Sequence, residues 1–318
     1  MPQSTGSDLH IDRLLSQMAI GYFQESNIAG LIAPIVNVEK ESDLFSIFSR
    51  ADALRTEDSR RARGDEANKI TRTVSSDSYR CQNYALKYPI FLEDRVNADP
   101  VYVQELVNNA AKYVTDKLAL DWEVRVAGIV NSTSNVGSSS GVASEWDGAA
   151  TSNPIGNIMT AMDNSQDLTG KRPNRLVMGL AAWNSLRRNN QILDRIHGTT
   201  NAQGFATRDQ VAGLLEVDQI LVGAAYRNTN AEGLAESLSK VWRDNVTAYY
   251  VPNAPSRDEP SFMYSFRWAA PGLPNMQAER HPYDSKKKVE EVEVGYYQVE
   301  KVTGAQYAFT LISVNSST

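Results

Sequence analysis

From Asp99-Pro100 onward the chain carries an apolar period that one long helix satisfies. Val103, Leu106, Val107, Ala110, Val114 and Leu118 recur at helical spacing, and Trp122 and Val126 extend the stripe. Asp99 is a good N-cap, and Pro100 at the first helical position gives up no intrahelical hydrogen bond. The spacing predicts roughly 28 residues of helix, stopped by Gly128 and the polar run after it, or a rod of about 40 Å. A compact ball built from 318 residues has a radius of gyration of only about 20 Å. The helix therefore crosses most of the molecule and predicts a flat or elongated subunit built on a spine.

What precedes the helix has no core of its own. Leu14, Leu15, Met18 and Tyr22 allow a short amphipathic helix. The apolar run from Ile28 to Val38 is extended around Pro34, which disfavours a central strand or a helix interior, and reads as an arm lying on something else. Between Phe48 and Ile70 large apolar residues nearly vanish. Arg50, Arg55, Arg60, Arg61, Arg63, Lys69 and Arg72 alternate there with Asp52, Glu57, Asp58, Asp65 and Glu66. Loops this long inside a compact domain are functional or disordered. Two readings stay open: a solvated insertion, or a two-stranded ribbon reaching a neighbouring subunit and pairing its mixed charges across the contact. Alternation resumes at Tyr79, Tyr84, Leu86 and Tyr88, as for a strand re-entering the body.

After the helix, residues 131–143 are rich in Ser and Gly and read as a flexible connector. Asn153-Pro154 is a second cap and first-turn pair, leading a helix through Ile155, Ile158, Met159 and Met162. Short apolar runs at 175–178, 219–222 and 246–251 alternate with helical stretches, one of them opened by a Thr207/Gln210 capping box. This predicts a central sheet covered by helices, with Trp183 and Trp242 in the core. The tail, 289–314, reads as all strand, with a bulge near Gly295 where Tyr297 and Val299 restart the alternation on the other face. Glu290, Glu291 and Glu293 read as an exposed face balanced by Lys286, Lys287 and Lys288.

Apolar residues make up 42% and charged residues 22%, as in an ordinary folded protein, and no run approaches the length of a membrane span. The net charge of −6 argues against a sequence-independent nucleic-acid binder, which needs surplus cations to displace counterions. The N-terminus lacks the basic and apolar regions of a secretory signal, and the single cysteine, Cys81, excludes an internal disulfide and Cys-based zinc or CxxC sites. The expectation is a soluble, intracellularly made protein. Gly137-Ser138-Ser139-Ser140-Gly141 matches the nucleophile-elbow pattern, but it sits in a Ser/Gly linker with no strand before it. His10, His197 and His281 share no metal-ligand spacing, and His197 before Gly198 reads as a cation at a helix C-terminus. Arg80 beside Cys81 favours a lowered thiol pKa, although a lone cysteine is more often packing. Gly170-Lys171-Arg172 is not a P-loop, and calcium-loop spacing is missing. The expectation is no catalytic site, no cofactor and no metal, and a structural or binding protein.

The order of elements resembles one family. Trp146-Asp147, the run 152–158, the run 169–179, Trp183-Asn184-Ser185-Leu186-Arg187, the runs 192–196 and 217–223, and Phe266-Arg267-Trp268 follow one another as in the major capsid proteins of tailed bacteriophages, which share the HK97-type fold. The resemblance runs from about residue 17 nearly to the end, carried by order and spacing and not by one motif. It implies an α+β fold with an N-terminal arm (1–44), an extended E-loop (45–88), a P-domain spine helix and connector (89–149), an A-domain with a central sheet flanked by helices (150–284) and C-terminal P-domain strands (285–318). It implies a non-enzymatic subunit that assembles through pentamers and hexamers into the icosahedral head around double-stranded DNA. Inter-subunit contact then falls to Arg55, Arg60, Arg61, Arg63, Asp65, Glu66, Lys69 and Arg72 in the E-loop. Scaffolding, portal and decoration proteins are the further partners implied; no membrane is, and the location is the virion, assembled in the host bacterial cytoplasm. No lysine–asparagine cross-linking pair is matched, which implies a non-covalent shell. The alternative on the same fold is an encapsulin-like compartment shell.

Overall fold

The computed structural model describes residues 27–316 apart from 49, 98–99, 149–150, 199–203, 258 and 270–273. The expected helix around Leu14, Leu15, Met18 and Tyr22, together with His10 and the Asp99 cap, lies outside the described residues. The first half runs through one helical turn α1 (Ala29–Ile32), β1 (Ile35–Val38), β2 (Ser42–Phe48), α2 (Arg50–Leu54), β3 (Val74–Arg80), β4 (Gln82–Phe91), α3 (Leu92–Asn97) and the long α4 (Pro100–Val130). Then follow β5 (Ser138–Gly141), α5 (Pro154–Thr169), β6 (Arg175–Gly179), α6 (Leu180–Leu186), α7 (Asn190–His197), α8 (Arg208–Leu215) and β7 (Gln219–Gly223). The chain ends with β8 (Tyr226–Asn228), β9 (Leu238–Lys240), β10 (Val246–Tyr249), β11 (Met263–Trp268), β12 (Gln277–Asp284), β13 (Val289–Val302) and β14 (Ala308–Ile312).

Helix α4 has 31 residues, so it is about 46 Å long. It runs through Gly128, which the sequence placed at its end, because the cost of an exposed glycine in a helix, about 1 kcal/mol, is outweighed by burial of Val126, Ala127 and Val130. Its apolar stripe (Val107, Ala110, Val114, Leu118, Trp122) packs on the first sheet, ordered β1-β11-β13-β12 with β4 on the free side of β13. Val292, Val294 and Tyr296 of β13 meet the helix side, whereas Tyr297 and Val299 pack against a separate cluster of Val36, Val38, Phe45, Tyr79, Cys81, Tyr264 and Phe266. The strand is thus covered on both faces and needs no bulge: its register with β4 is continuous from Val289 to Gln298. The irregularity is on β12, between His281 and Asp284.

The second sheet is ordered β5-β14-β10-β6-β7; its edge strand β5 is exposed, and the strands from β14 to β7 are buried on both faces. Leu176, Met178, Val246, Ala248, Phe309 and Leu311 point into a helix-covered core with Ile158, Met162 and Leu215, while Val177, Leu221, Tyr249 and Ala308 join the core around α4. Caps read from sequence are in place: Asn153 accepts from the Gly156 N–H, Thr207 and Gln210 form the capping box, and Gly198 ends α7 at φ +68°. Two expectations are corrected. Residues 138–141 are not a flexible connector; they pair in parallel with Phe309–Ile312, and Gly137 lies so near Gln306 that a Cβ would sit 2.5 Å from its Cα. The tail is not one sheet either. Strand β13 belongs to the first sheet and β14 to the second, while β11 and β12 from before residue 285 join β13.

Candidate functional site

The charged stretch is carried at the end of an antiparallel ribbon, β2 on β3, in register from Ser42↔Arg80 to Phe48↔Val74. Its root is fixed. Tyr79 stacks on Phe266 at 4.8 Å and Phe45 lies 5.4 Å from the same ring. Lys301 pairs with Asp77 at 2.9 Å, the Arg257 guanidinium donates to the Leu44 carbonyl, and the Trp268 indole donates to the Glu39 carbonyl. The Lys301 ammonium holds the Asp77 carboxyl below its ordinary value. Alternating burial of Phe45 and Tyr79 against exposed Leu44, Ser46 and Ser78 is the period-2 pattern of a strand pair with one covered face.

Beyond the ribbon, residues 55–73 form neither helix nor strand, and all are exposed. The loop braces itself through main-chain and amide groups: Asp58 accepts from the Arg60 N–H, Asn68 donates to the Asp58 carbonyl, and Asp52 accepts from the Thr73 N–H. Of the eight residues expected at a contact, Arg55 pairs with Asp52 at 3.5 Å and Glu57 at 3.8 Å, a surface arrangement that contributes little to stability. Arg72 lines a cavity of about 290 Å³ between the ribbon and the body, with Leu54, Lys171 and Arg257. Arg60, Arg61, Arg63, Asp65, Glu66 and Lys69 project without ion pairs among the described residues. Leu54, Ile70 and Val74 are also more than half exposed. The 19-residue loop thus presents apolar groups and charges without ion pairs to solvent from an anchored root.

Other expectations are corrected by partners distant in the chain. Glu290 is buried and pairs with Arg95 and Arg280, while Glu291 and Glu293 meet Lys87, so Lys286–Lys288 do not balance them. His281 is on β12 and meets Glu293 at 2.9 Å. Cys81 is buried with its thiol toward the Phe266 carbonyl, and burial pushes its pKa up to about 11, against the lowering expected from Arg80. Ser139 lies on the exposed β5, and the next helix, α5, begins only at Pro154. Among the described residues no group of three His, Cys, Asp or Glu could hold a metal, and no helix is long and apolar enough to cross a membrane.

Sequence reasoning missed Glu123. Buried on the apolar side of α4, it accepts from the Ala29 N–H (2.9 Å) and the Trp242 indole (2.6 Å), tying residues 28–33 and β10's approach to the long helix. Burial raises its pKa. The signal was present: an acid on the 119/123/127 row of an otherwise apolar stripe. Arg125, held by Glu300 and the Tyr296 hydroxyl, similarly fastens α4 to β13.

No protein-family model matches the chain. Over 268 residues it is 28% identical to the major capsid protein of Burkholderia phage BcepMu, covering 81% of this chain and 83% of that one. Its fold is that of a phage-related protein from Bordetella bronchiseptica RB50, with a TM-score of 0.74, 22% identity, and 97% and 99% of the two chains covered. The capsid structure of the cyanophage P-SCSP1u aligns at a TM-score of 0.56 and 12% identity over 99% of this chain and 93% of that one.

Proposed function

We infer that this chain is a phage major capsid protein, a structural shell subunit that assembles in many copies and forms part of the virion. The observation that carries the reading is 28% identity over 268 residues to a phage major capsid protein, on a mixed α+β fold matched along nearly the whole chain. An exposed, anchored loop fits a protein whose work is contact.

On this reading residues 1–44 are the N-terminal arm and 45–88 the E-loop. The spine helix α4 with strands β11, β12 and β13 of the first sheet is the P-domain, on which β1 of the arm and β4 of the E-loop pair, and the second sheet with α5–α8 is the A-domain. This reading gives β11 and β12 to the P-domain and β5 and β14 to the A-domain, supported by the sheets they share. Subunits meet head to tail in rings of five and six, with Arg55, Arg60, Arg61, Arg63, Asp65, Glu66, Lys69 and Arg72 on a neighbour. Arms that reach across neighbours enlarge each contact toward the obligate class of about 2,000 Å² or more. The shell encloses double-stranded DNA without sequence preference and is assembled in the host cytoplasm with scaffolding, portal and decoration proteins. Negative-stain electron microscopy of the chain expressed in bacteria, alone and with its neighbouring genes, tests this: icosahedral shells or rings of five and six are expected. A monomer under every condition overturns it, and shells packed with protein cargo instead of DNA identify the compartment reading.

A further inference from the structure

Strands β8 and β9 form a two-stranded hairpin that pairs with no other strand among the described residues. Such a ribbon is marginal by itself, yet its nine-residue turn, 229–237, is braced. The Asn228 side-chain oxygen accepts from the Asn230 and Ser237 N–H groups, the Asn230 amide donates to the Ala235 carbonyl, and the Thr229 N–H donates to the Ser237 carbonyl. The braced turn holds two acids, Glu232 and Glu236, in solvent, and Leu234 and Leu238 are 67% and 64% exposed. At the other end of the same hairpin, a cleft of about 470 Å³ against the C-terminal turns of α4 is lined by Arg227, Lys240 and Arg243 and by no carboxylate. Among the described residues none of these five charged groups is in an ion pair. The negative end of the helix dipole accounts for roughly half a unit of charge, so three cations leave a surplus of roughly 2.5 in a chain whose net charge is −6.

We propose that the hairpin docks head to tail on a second copy of this chain, the acidic turn of one copy seating Glu232 and Glu236 in the Arg227–Lys240–Arg243 cleft of the next. Opposite charges at opposite ends of one rigid element make a heterologous contact, which closes into rings when the rotation between copies allows. Pre-bracing of the turn lowers the ordering cost of the contact. The proposal rests on the capsid reading, and it adds which groups meet inside a ring.

The test uses the full chain in three forms: unchanged, acid-reversed (Glu232→Lys with Glu236→Lys), and base-reversed (Arg227→Glu, Lys240→Glu and Arg243→Glu). All five side chains are exposed, and thermal unfolding of each form checks the fold. Each reversed form alone should lose rings and shells, since like charges meet at every contact. Mixed one to one, they should recover assembly, but only in rings where the two forms alternate. Rings of six close under that rule and rings of five do not, so six-fold rings, sheets or tubes are expected without closed shells. In assemblies of the unchanged chain, carbodiimide should join Lys240 to Glu232 or Glu236 of a different copy, read by mass spectrometry of mixed light and heavy protein. Should a reversed form misfold, this cross-link decides by itself. Reversed forms that assemble like the unchanged chain, a mixture that does not recover, or no such cross-link in intact shells each overturn the proposal while leaving the capsid reading standing. An unchanged chain that never assembles overturns both.

Discussion

Replacing Glu123 tests whether a buried carboxylate fastens three separate segments. Its oxygens accept from the Ala29 N–H and the Trp242 indole, and Ala29 and Trp242 are 0% and 3% exposed. In Glu123→Leu both donors lose their acceptor where water cannot replace it, at about 1–3 kcal/mol each. Removal of a buried carboxylate recovers part of that sum, so a net loss of about 3 kcal/mol is expected. For a chain of 318 residues that lowers the unfolding midpoint by roughly 4–5 °C. Glu123→Gln keeps one acceptor oxygen but turns an amide donor toward the second donor, and should fall between the two. The pH dependence has a defined sign. Burial raises the folded-state pKa above 4.5, so the native state binds a proton that the unfolded chain releases. This group's contribution is then greatest below the unfolded pKa and declines as pH rises through the folded value. The deficit of Glu123→Gln should accordingly be largest in acid and shrink toward neutral pH. Calorimetry at several pH values reads both quantities. A Glu123→Leu protein within about 0.5 kcal/mol of the unchanged chain, the range of ordinary surface changes, would show that the two donors find other acceptors and that the fastening argument is wrong.

Three further outcomes follow from particular contacts. Reversing the loop charges with Arg60→Glu and Arg61→Glu should leave thermal unfolding within about 0.5 kcal/mol of the original but reduce shell yield and flatten its salt dependence, measured by light scattering and electron microscopy; an unaltered yield and salt response would remove the loop from the contact. Gly179→Ala would place a Cβ 2.1 Å from the Arg243 carbonyl oxygen, a backbone atom that cannot swing away, and urea unfolding should show a loss of at least about 2 kcal/mol. With its pKa at about 11, Cys81 is almost wholly thiol at neutral pH. Maleimide labelling of the folded chain should therefore be slow and become fast in urea, and rapid native labelling would contradict the burial argument.

Local features of the sequence determined local structure. The stripe from Val103 to Val126 specifies a long helix because side chains three and four apart share a face, and that spacing is a property of the segment alone. Asn153-Pro154 and Thr207 with Gln210 mark helix starts for the same reason: the capped N–H groups lie within three residues of the cap. The scarcity of large apolar residues between Phe48 and Ile70, where Leu54 stands alone, likewise excluded a core there, and residues 55–73 are exposed throughout. What periodicity cannot report is which distant strand supplies the missing hydrogen bonds. Only the fold decided that β13 is shared by β4, β11 and β12, that Ser138–Gly141 is a strand against β14, and that the alternation at Gly295 needs no bulge because β13 is covered on both faces. Charge behaves the same way. Glu290 looked balanced by the lysines beside it, yet it is buried with Arg95 and Arg280, one of them 195 residues away. Burial makes a charge seek the partner with the best geometry, and chain folding, not sequence proximity, chooses which residues that brings within reach.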